Sequence, residues 1–133
     1  MHLQGLNVVL ISRTQSKLDT VKGELEAKYP KVEVTTVAVD YSRFDIAAQA
    51  RVKKVIDNLD IGVLVNNVGM SYARPFDFLE APLELTDRLV EVNINSMTRM
   101  TYLVLPGMQS RRRGCIINVS SGAGSLPQPL QAT

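Results

Sequence analysis

The sequence predicts an α/β protein built on a parallel sheet with helices on both faces. Three observations predict it. Short, continuous apolar runs recur along the chain, amphipathic helical stretches separate them, and each run stops abruptly at polar or small residues. Right-handed crossovers make such a sheet doubly wound, and its sites form at the carboxyl ends of the strands.

The elements follow in order. Residues 7–12, "NVVLIS", form an apolar run suited to a strand buried on both faces. In "RTQSKLDTVKGELEAKYP", Ser16 and Asp19 fit a capping box, and Leu18, Val21 and Leu25 recur at helical spacing. Pro30 lies just past the end of that helix. Residues 32–39, "VEVTTVAV", are β-branched and predict a second strand. Ser42 and Asp45 make another capping box, before a helix whose apolar face is Phe44, Ala48, Val52, Val55, Ile56 and Leu59. "IGVLVNNVG", residues 61–69, is a third buried strand, and residues 70–82 are a loop with Pro75 and Pro82. A long helix over about 83–110 carries Leu85, Leu89, Val92, Met100 and Leu103 on one stripe. "CIINVSS", residues 115–121, is a fourth strand. Repeats, low-complexity tracts and linkers are absent from the sequence, so residues 1–133 read as one domain.

Composition narrows the function. Hydrophobic residues make up 45% and charged residues 21%, as in a soluble globular protein. The net charge is +2, from 15 basic and 13 acidic residues intermixed, which gives no footprint for nucleic acid. Arg111, Arg112 and Arg113 are the basic run; they suit the C-terminal end of a helix meeting solvent, with a phosphate- or membrane-facing role as the alternative. Cys115 is the single cysteine, so no intrachain disulfide forms, and it opens an apolar strand as a small buried hydrophobe. His2 is the single histidine and sits at a terminus, which excludes a Ser-His-Asp triad or a histidine metal site. No apolar run reaches the roughly 20 residues of a membrane span. The first residues lack the charged and apolar regions of a signal peptide.

The polar residues gather at the four strand ends: Ser12-Arg13, Asp40-Tyr41, Asn66-Asn67-Gly69 and Ser120-Ser121-Gly122. Four such ends on one sheet edge predict a ligand crevice. In a dinucleotide fold, Arg13 stands where the adenosine ribose lies, and with Lys17 it suits a 2′-phosphate, pointing to NADP(H). The alternative is a solvated pair at a helix start. Asp40 can accept from an exocyclic amine of adenine while Tyr41 packs on an edge; an Asx turn leading to the next helix explains Asp40 as well. "NNVG" offers paired amides that lock strand ends and a glycine for close backbone approach to a ligand. Asn93 and Asn95 fall inside the long helix. Asparagine competes there for backbone bonds, which predicts a bend or a water site, or side chains turned to solvent. Ser121 can hold a carbonyl oxygen by hydrogen bond, and no base stands near enough in the sequence to make it a nucleophile.

The succession "SRT", "VDYS", "NNVG", "EVNINS" and "INVSSGAG" resembles the classical short-chain dehydrogenase/reductases. "NNVGMSYARPFDFLE" and "VLPGMQSRRRGCIINVSSGAGSLPQPL" are similar to the branch of microsomal very-long-chain 3-oxoacyl-CoA reductases and 17β-hydroxysteroid dehydrogenases. The resemblance implies a Rossmann-like sheet and hydride transfer from NADPH to a carbonyl, with a tyrosine as acid and a lysine lowering its pKa. It implies an acyl-CoA or steroid substrate, endoplasmic-reticulum residence and homo-oligomers. By position, it makes Asn93 the holder of a relay water and Ser121 the carbonyl-orienting serine. Arg13, Asp40, Asn66, Asn67 and Gly69 then line the cofactor.

The family's TGxxxGIG turn is expected upstream of "GLNVVLIS", and its YxxxK pair beyond Thr133. None of Tyr29, Tyr41, Tyr72 and Tyr102 stands in for that tyrosine on spacing. The expected fold is therefore a partial doubly wound sheet, without the first strand and the C-terminal strands. It should show a gap between the strands at 7–12 and 61–66, with half-sheets poorly stable, closing up, or recruiting another chain. The segment alone is expected to be inactive. The rival reading is a non-catalytic remnant that binds nucleotide or a partner chain.

Overall fold

A computed structural model of the chain describes residues 5–124 and 129–130; His2 lies outside them. Its four strands pair in two two-stranded sheets, both parallel, and the chain divides into two compact units at Tyr41 and Ser42. The architecture is a partial α/β fold of the kind the sequence predicts. The strands at Val8–Ser12 and Val63–Asn66 fall in different sheets.

The first unit is β1 (Val8–Ser12), α1 (Gln15–Lys28) and β2 (Val34–Ala38). β1 and β2 pair in register from Val8–Val34 to Ser12–Ala38, and Val39 N–H extends the ladder to the Ser12 carbonyl at 2.9 Å. Val34, Val37, Val39 and, from α1, Leu18 are buried; Val21 is exposed. The helix starts two residues earlier than the capping box at Ser16 predicts. Only Arg13 and Thr14 separate it from β1, so extended Thr14 is the cap residue, with no side-chain cap bond. Gln15 Nε2 instead donates to Asp19 Oδ1 at 2.6 Å and to Thr36 Oγ1 at 3.0 Å, tying the first helical turn to β2.

The second unit begins with a turn at Ser42–Arg43 and continues through α2 (Ile46–Ile56) to β3 (Val63–Asn66). Here too the cap is shifted: Asp45, not Ser42, caps α2, its carboxylate accepting the Ala48 N–H at 2.8 Å. Phe44, Ala48, Val52 and Ile56 recur every four residues and are buried, whereas Leu59 lies beyond the helix and is exposed.

The long helix is real but interrupted. It runs as α3 (Leu83–Val90), a wider π-helical turn at Glu91–Asn95, and α4 (Ser96–Arg111). The break falls on Asn93 and Asn95, the two residues that predict a bend. A π turn inserts extra chain without ending the helix. Leu89 before it, Val92 within it, and Ser96, Met100, Val104 and Met108 after it therefore stay buried. Ser96 donates to the Val92 carbonyl at 2.7 Å, satisfying its buried hydroxyl.

α4 ends on Arg112, whose φ of 52° is left-handed. The arginines on either side of it do more than meet solvent. Arg111 Nε pairs with Asp60 Oδ1 at 2.7 Å and Arg113 Nη2 with Asp60 Oδ2 at 2.5 Å, while Arg111 Nη2 donates to the Ile61 carbonyl at 3.0 Å. These bonds fasten the end of α4 to the chain entering β3. Gly114 then leads into β4 (Cys115–Asn118), which pairs with β3 from Val63–Cys115 to Asn66–Asn118.

This sheet is not buried on both faces. Its register places Val63 and Val65 beside Cys115 and Ile117, and all four are exposed. Leu64, Asn66 and Ile116 alternate with them and are half-buried. Cys115 is thus an exposed thiol rather than the buried hydrophobe the apolar run suggests. Its place on the outward side of the pleat decides that.

Candidate functional site

The first unit carries two of the sequence-predicted residues. Arg13 follows β1 and Asp40 follows β2, and the Ser12–Ala38 register brings these adjacent strand ends to one level. Both side chains are exposed, and Arg13 makes no ion pair among the described residues. A guanidinium open to solvent at a strand end is available to an anionic ligand group. Tyr41 does not belong with them. Only 7% of it is exposed, so it is a core side chain and not an edge for a base. Burial pushes its phenol up to about 12, because the phenolate is disfavoured away from water.

In the second unit, β3 delivers Asn66, Asn67 and Gly69, the π turn delivers Asn93, and the segment after β4 delivers Ser121. The structure joins several of these. Asn93 Oδ1 accepts the Met70 N–H at 2.8 Å, and its Nδ2 donates to the Met70 carbonyl at 2.9 Å. The side-chain amide thereby pairs with a main-chain peptide as a neighbouring strand would. This stabilises the chain just after β3 by about 0.5–1.5 kcal/mol per bond. A Cβ at Gly69 would lie 3.4 Å from Asn93 Oδ1, so the glycine sits directly against this clamp.

Asn66 is likewise engaged. Its Nδ2 donates to Asn118 Oδ1 at 2.9 Å and reaches Thr101 Oγ1 on α4 at 3.4 Å. The main chain continues the pairing, with Val119 N–H on the Asn66 carbonyl at 3.0 Å. The expected locking of strand ends by amides is present, and Asn66 does it. Asn67 is exposed beside it. Ser121 follows the end of β4 and is exposed, and its carbonyl accepts the Gly124 N–H at 3.0 Å in a short 3-10 turn at Gly122–Gly124.

Three contributors escape a linear reading of the sequence: Asn118, Thr101 and the Met70 peptide. All three act through pairing between segments distant in the sequence. Among the described residues no cluster of three or more His, Cys, Asp or Glu could hold a metal. No helix there is long and apolar enough to cross a membrane.

Comparison with known proteins matches residues 1–133 to the short chain dehydrogenase family. The very-long-chain 3-oxoacyl-CoA reductase of Macaca fascicularis is 48% identical over 129 residues, 96% of this chain and 40% of that protein. The chain thus spans about two-fifths of the length of the curated relatives it matches. Among solved structures, one from work on 7beta-hydroxysteroid dehydrogenase stereoselectivity superposes with a TM-score of 0.83 at 26% identity, over 94% of this chain and 48% of the other. A short-chain dehydrogenase from Sphingobium yanoikuyae in complex with NADPH gives 0.80 at 28% identity, over 92% and 46%.

Proposed function

Because the chain belongs to the short-chain dehydrogenase family, we propose that it is the central segment of an NADPH-dependent ketoreductase acting on a 3-oxoacyl-CoA. The observation that carries this reading is the near-half identity, along almost the whole segment, with a very-long-chain 3-oxoacyl-CoA reductase. A steroid ketone is the second reading, supported by the likeness to a hydroxysteroid dehydrogenase structure at lower identity. In the first reading the protein serves fatty-acid elongation at the endoplasmic reticulum as a homo-oligomer, following the branch its motifs resemble.

Bound NADPH supplies the hydride. Arg13, exposed and without an ion pair among the described residues, holds the 2′-phosphate by charge-assisted bonds. Asp40 receives the adenine amine at the adjacent strand end. Asn66, Asn67 and Gly69 would meet the nucleotide where the chain leaves β3. Ser121 donates its hydroxyl proton to the substrate carbonyl oxygen, so the bond polarises as charge develops there. Asn93 serves the proton relay by keeping the Met70 peptide and the π turn in fixed relation. None of the four tyrosines has a lysine four residues on, so the acid that protonates the alkoxide lies outside these 133 residues. The segment by itself accordingly turns nothing over.

The test is nicotinamide oxidation by the full-length protein with a long 3-oxoacyl-CoA. Turnover with NADPH well above that with NADH is expected. Equal use of NADH, or turnover of a steroid ketone alone, would overturn the proposal.

A further inference from the structure

We infer that Thr101 and Asn118 are positioning residues for the reaction proposed above, on which this inference rests: with Asn66 they lock helix α4 and two strand tips into one register. Hydrogen-bond direction carries the argument. Thr101 has one hydroxyl proton, and it is committed to the Met97 carbonyl at 2.9 Å. The hydroxyl can therefore only accept from Asn66, which orients the Asn66 amide with its nitrogen towards α4. That nitrogen's second proton then requires an acceptor at Asn118, and Asn118 Oδ1 lies 2.9 Å away. The bonds run outward from the Asn66 nitrogen: one proton goes to the Thr101 hydroxyl, which donates in turn to the Met97 carbonyl, and the other goes to the Asn118 oxygen.

Its ends are the parts that matter. The helix that holds Thr101 continues back through the π turn to Asn93. β3 leaves Asn66 for Asn67 and Gly69, and β4 leaves Asn118 for Ser121 three residues on. Backbone ladder bonds fix the two strands to each other but not to the helix. The Asn66–Thr101 contact supplies that third tie, close to the site end of the sheet. Without it, α4 can slide or rotate by a fraction of an ångström against the strands, and misplacement of that order lowers rate before it lowers binding.

The experiment uses the full-length protein and four variants: Thr101→Val, Thr101→Ser, Asn118→Leu and Asn118→Asp. Steady-state kcat and KM are measured beside NADPH affinity by fluorescence titration and the unfolding midpoint. Thr101→Val and Asn118→Leu should lower kcat about tenfold or more while NADPH affinity holds. Thr101→Ser keeps the accepting oxygen and Asn118→Asp keeps an acceptor for Asn66, so both should restore most of kcat. A lowered unfolding midpoint with unchanged kcat would mean a structural role only and would overturn the inference. So would loss of rate that the serine and aspartate variants share equally with valine and leucine. Should Asn118→Leu not fold, Thr101→Val, a near-isosteric change, decides the matter. A parent protein without ketoreductase activity would instead remove the premise, and the parent measurement shows which of the two has failed.

Discussion

Replacing Gly114 by alanine tests the most tightly packed glycine of the second unit. A Cβ built at Gly114 falls 2.4 Å from Met108 Cγ, 2.5 Å from its Sδ and 2.7 Å from its Cβ. Carbon atoms in contact prefer about 3.5–4.0 Å, so roughly 1 Å must be found. Met108 cannot swing clear, because it is 4% exposed and the offended atoms include its own Cβ at the helix surface. Overpacking of this kind costs about 1–3 kcal/mol. Alanine recovers about 0.4–1 kcal/mol by restricting the unfolded chain, so the mid-range values give a net loss of about 1.3 kcal/mol. Denaturant unfolding of the full-length Gly114→Ala protein measures it. Met108→Ala alone should cost about 2–5 kcal/mol through the cavity it leaves. The double variant should lose less than the sum, since the new methyl enters that cavity. A Gly114→Ala protein as stable as its parent, or strict additivity in the double variant, would refute the reasoning.

Four further outcomes are expected. Arg13→Glu should lower kcat/KM with NADPH by about 10- to 100-fold and spare NADH, as loss of a charge-assisted phosphate contact requires; steady-state kinetics with both nucleotides reads it. Asn93→Leu should remove both bonds to Met70, lowering kcat and costing about 1–3 kcal/mol of unfolding free energy. Asp60→Ala should cost about 1 kcal/mol or less, because its two arginine partners act at a half-exposed carboxylate, and the cost should shrink in high salt. Tyr41 ionises near pH 12 when folded and near pH 10 when unfolded. The folded state therefore keeps its proton longer, and stability is lost as pH rises from about 10 to 12. Phenolate absorbance should show the late titration of Tyr41, and Tyr41→Phe should abolish it together with that part of the alkaline destabilisation.

Element type was legible because it is local. Apolar runs and helical spacing place the strands and α-helices of the described residues within a few residues, and of the readings open for the two asparagines the bend is the one the structure shows, as a π turn. The helix starts differ from the capping-box reading for a physical reason: a serine with an acidic residue three positions on fits that pattern wherever it falls. Here the chain leaving β1 had room for only two residues, and at α2 a better acceptor, Asp45, stood nearer the helix. Burial was the least legible property. The runs "VLVN" and "CIIN" are apolar enough for a doubly covered strand, yet Val63, Val65, Cys115 and Ile117 are exposed. Hydropathy reports what a strand can bury, whereas exposure depends on what stands opposite.

The same distinction governs the site. Asn66 and Asn93 were identifiable by residue type and place, since an amide at a strand tip or inside a helix needs an explanation in backbone bonding. Their partners were not, because the Asn66–Asn118 bond spans 52 positions and the Asn93–Met70 pair spans 23. One local signal did exist. "VLVN" and "CIIN" each end three apolar residues with asparagine, so parallel strands aligned by their apolar runs must set the two amides side by side. An acceptor on one and a donor on the other then follow from amide chemistry alone. The rule is testable inside this protein. Moving the asparagine one place along β4, as Ile117→Asn with Asn118→Ile, turns the amide to the outward face. It should cost as much activity as Asn118→Leu. Retained activity would mean that the paired amides do not set the register of the tips.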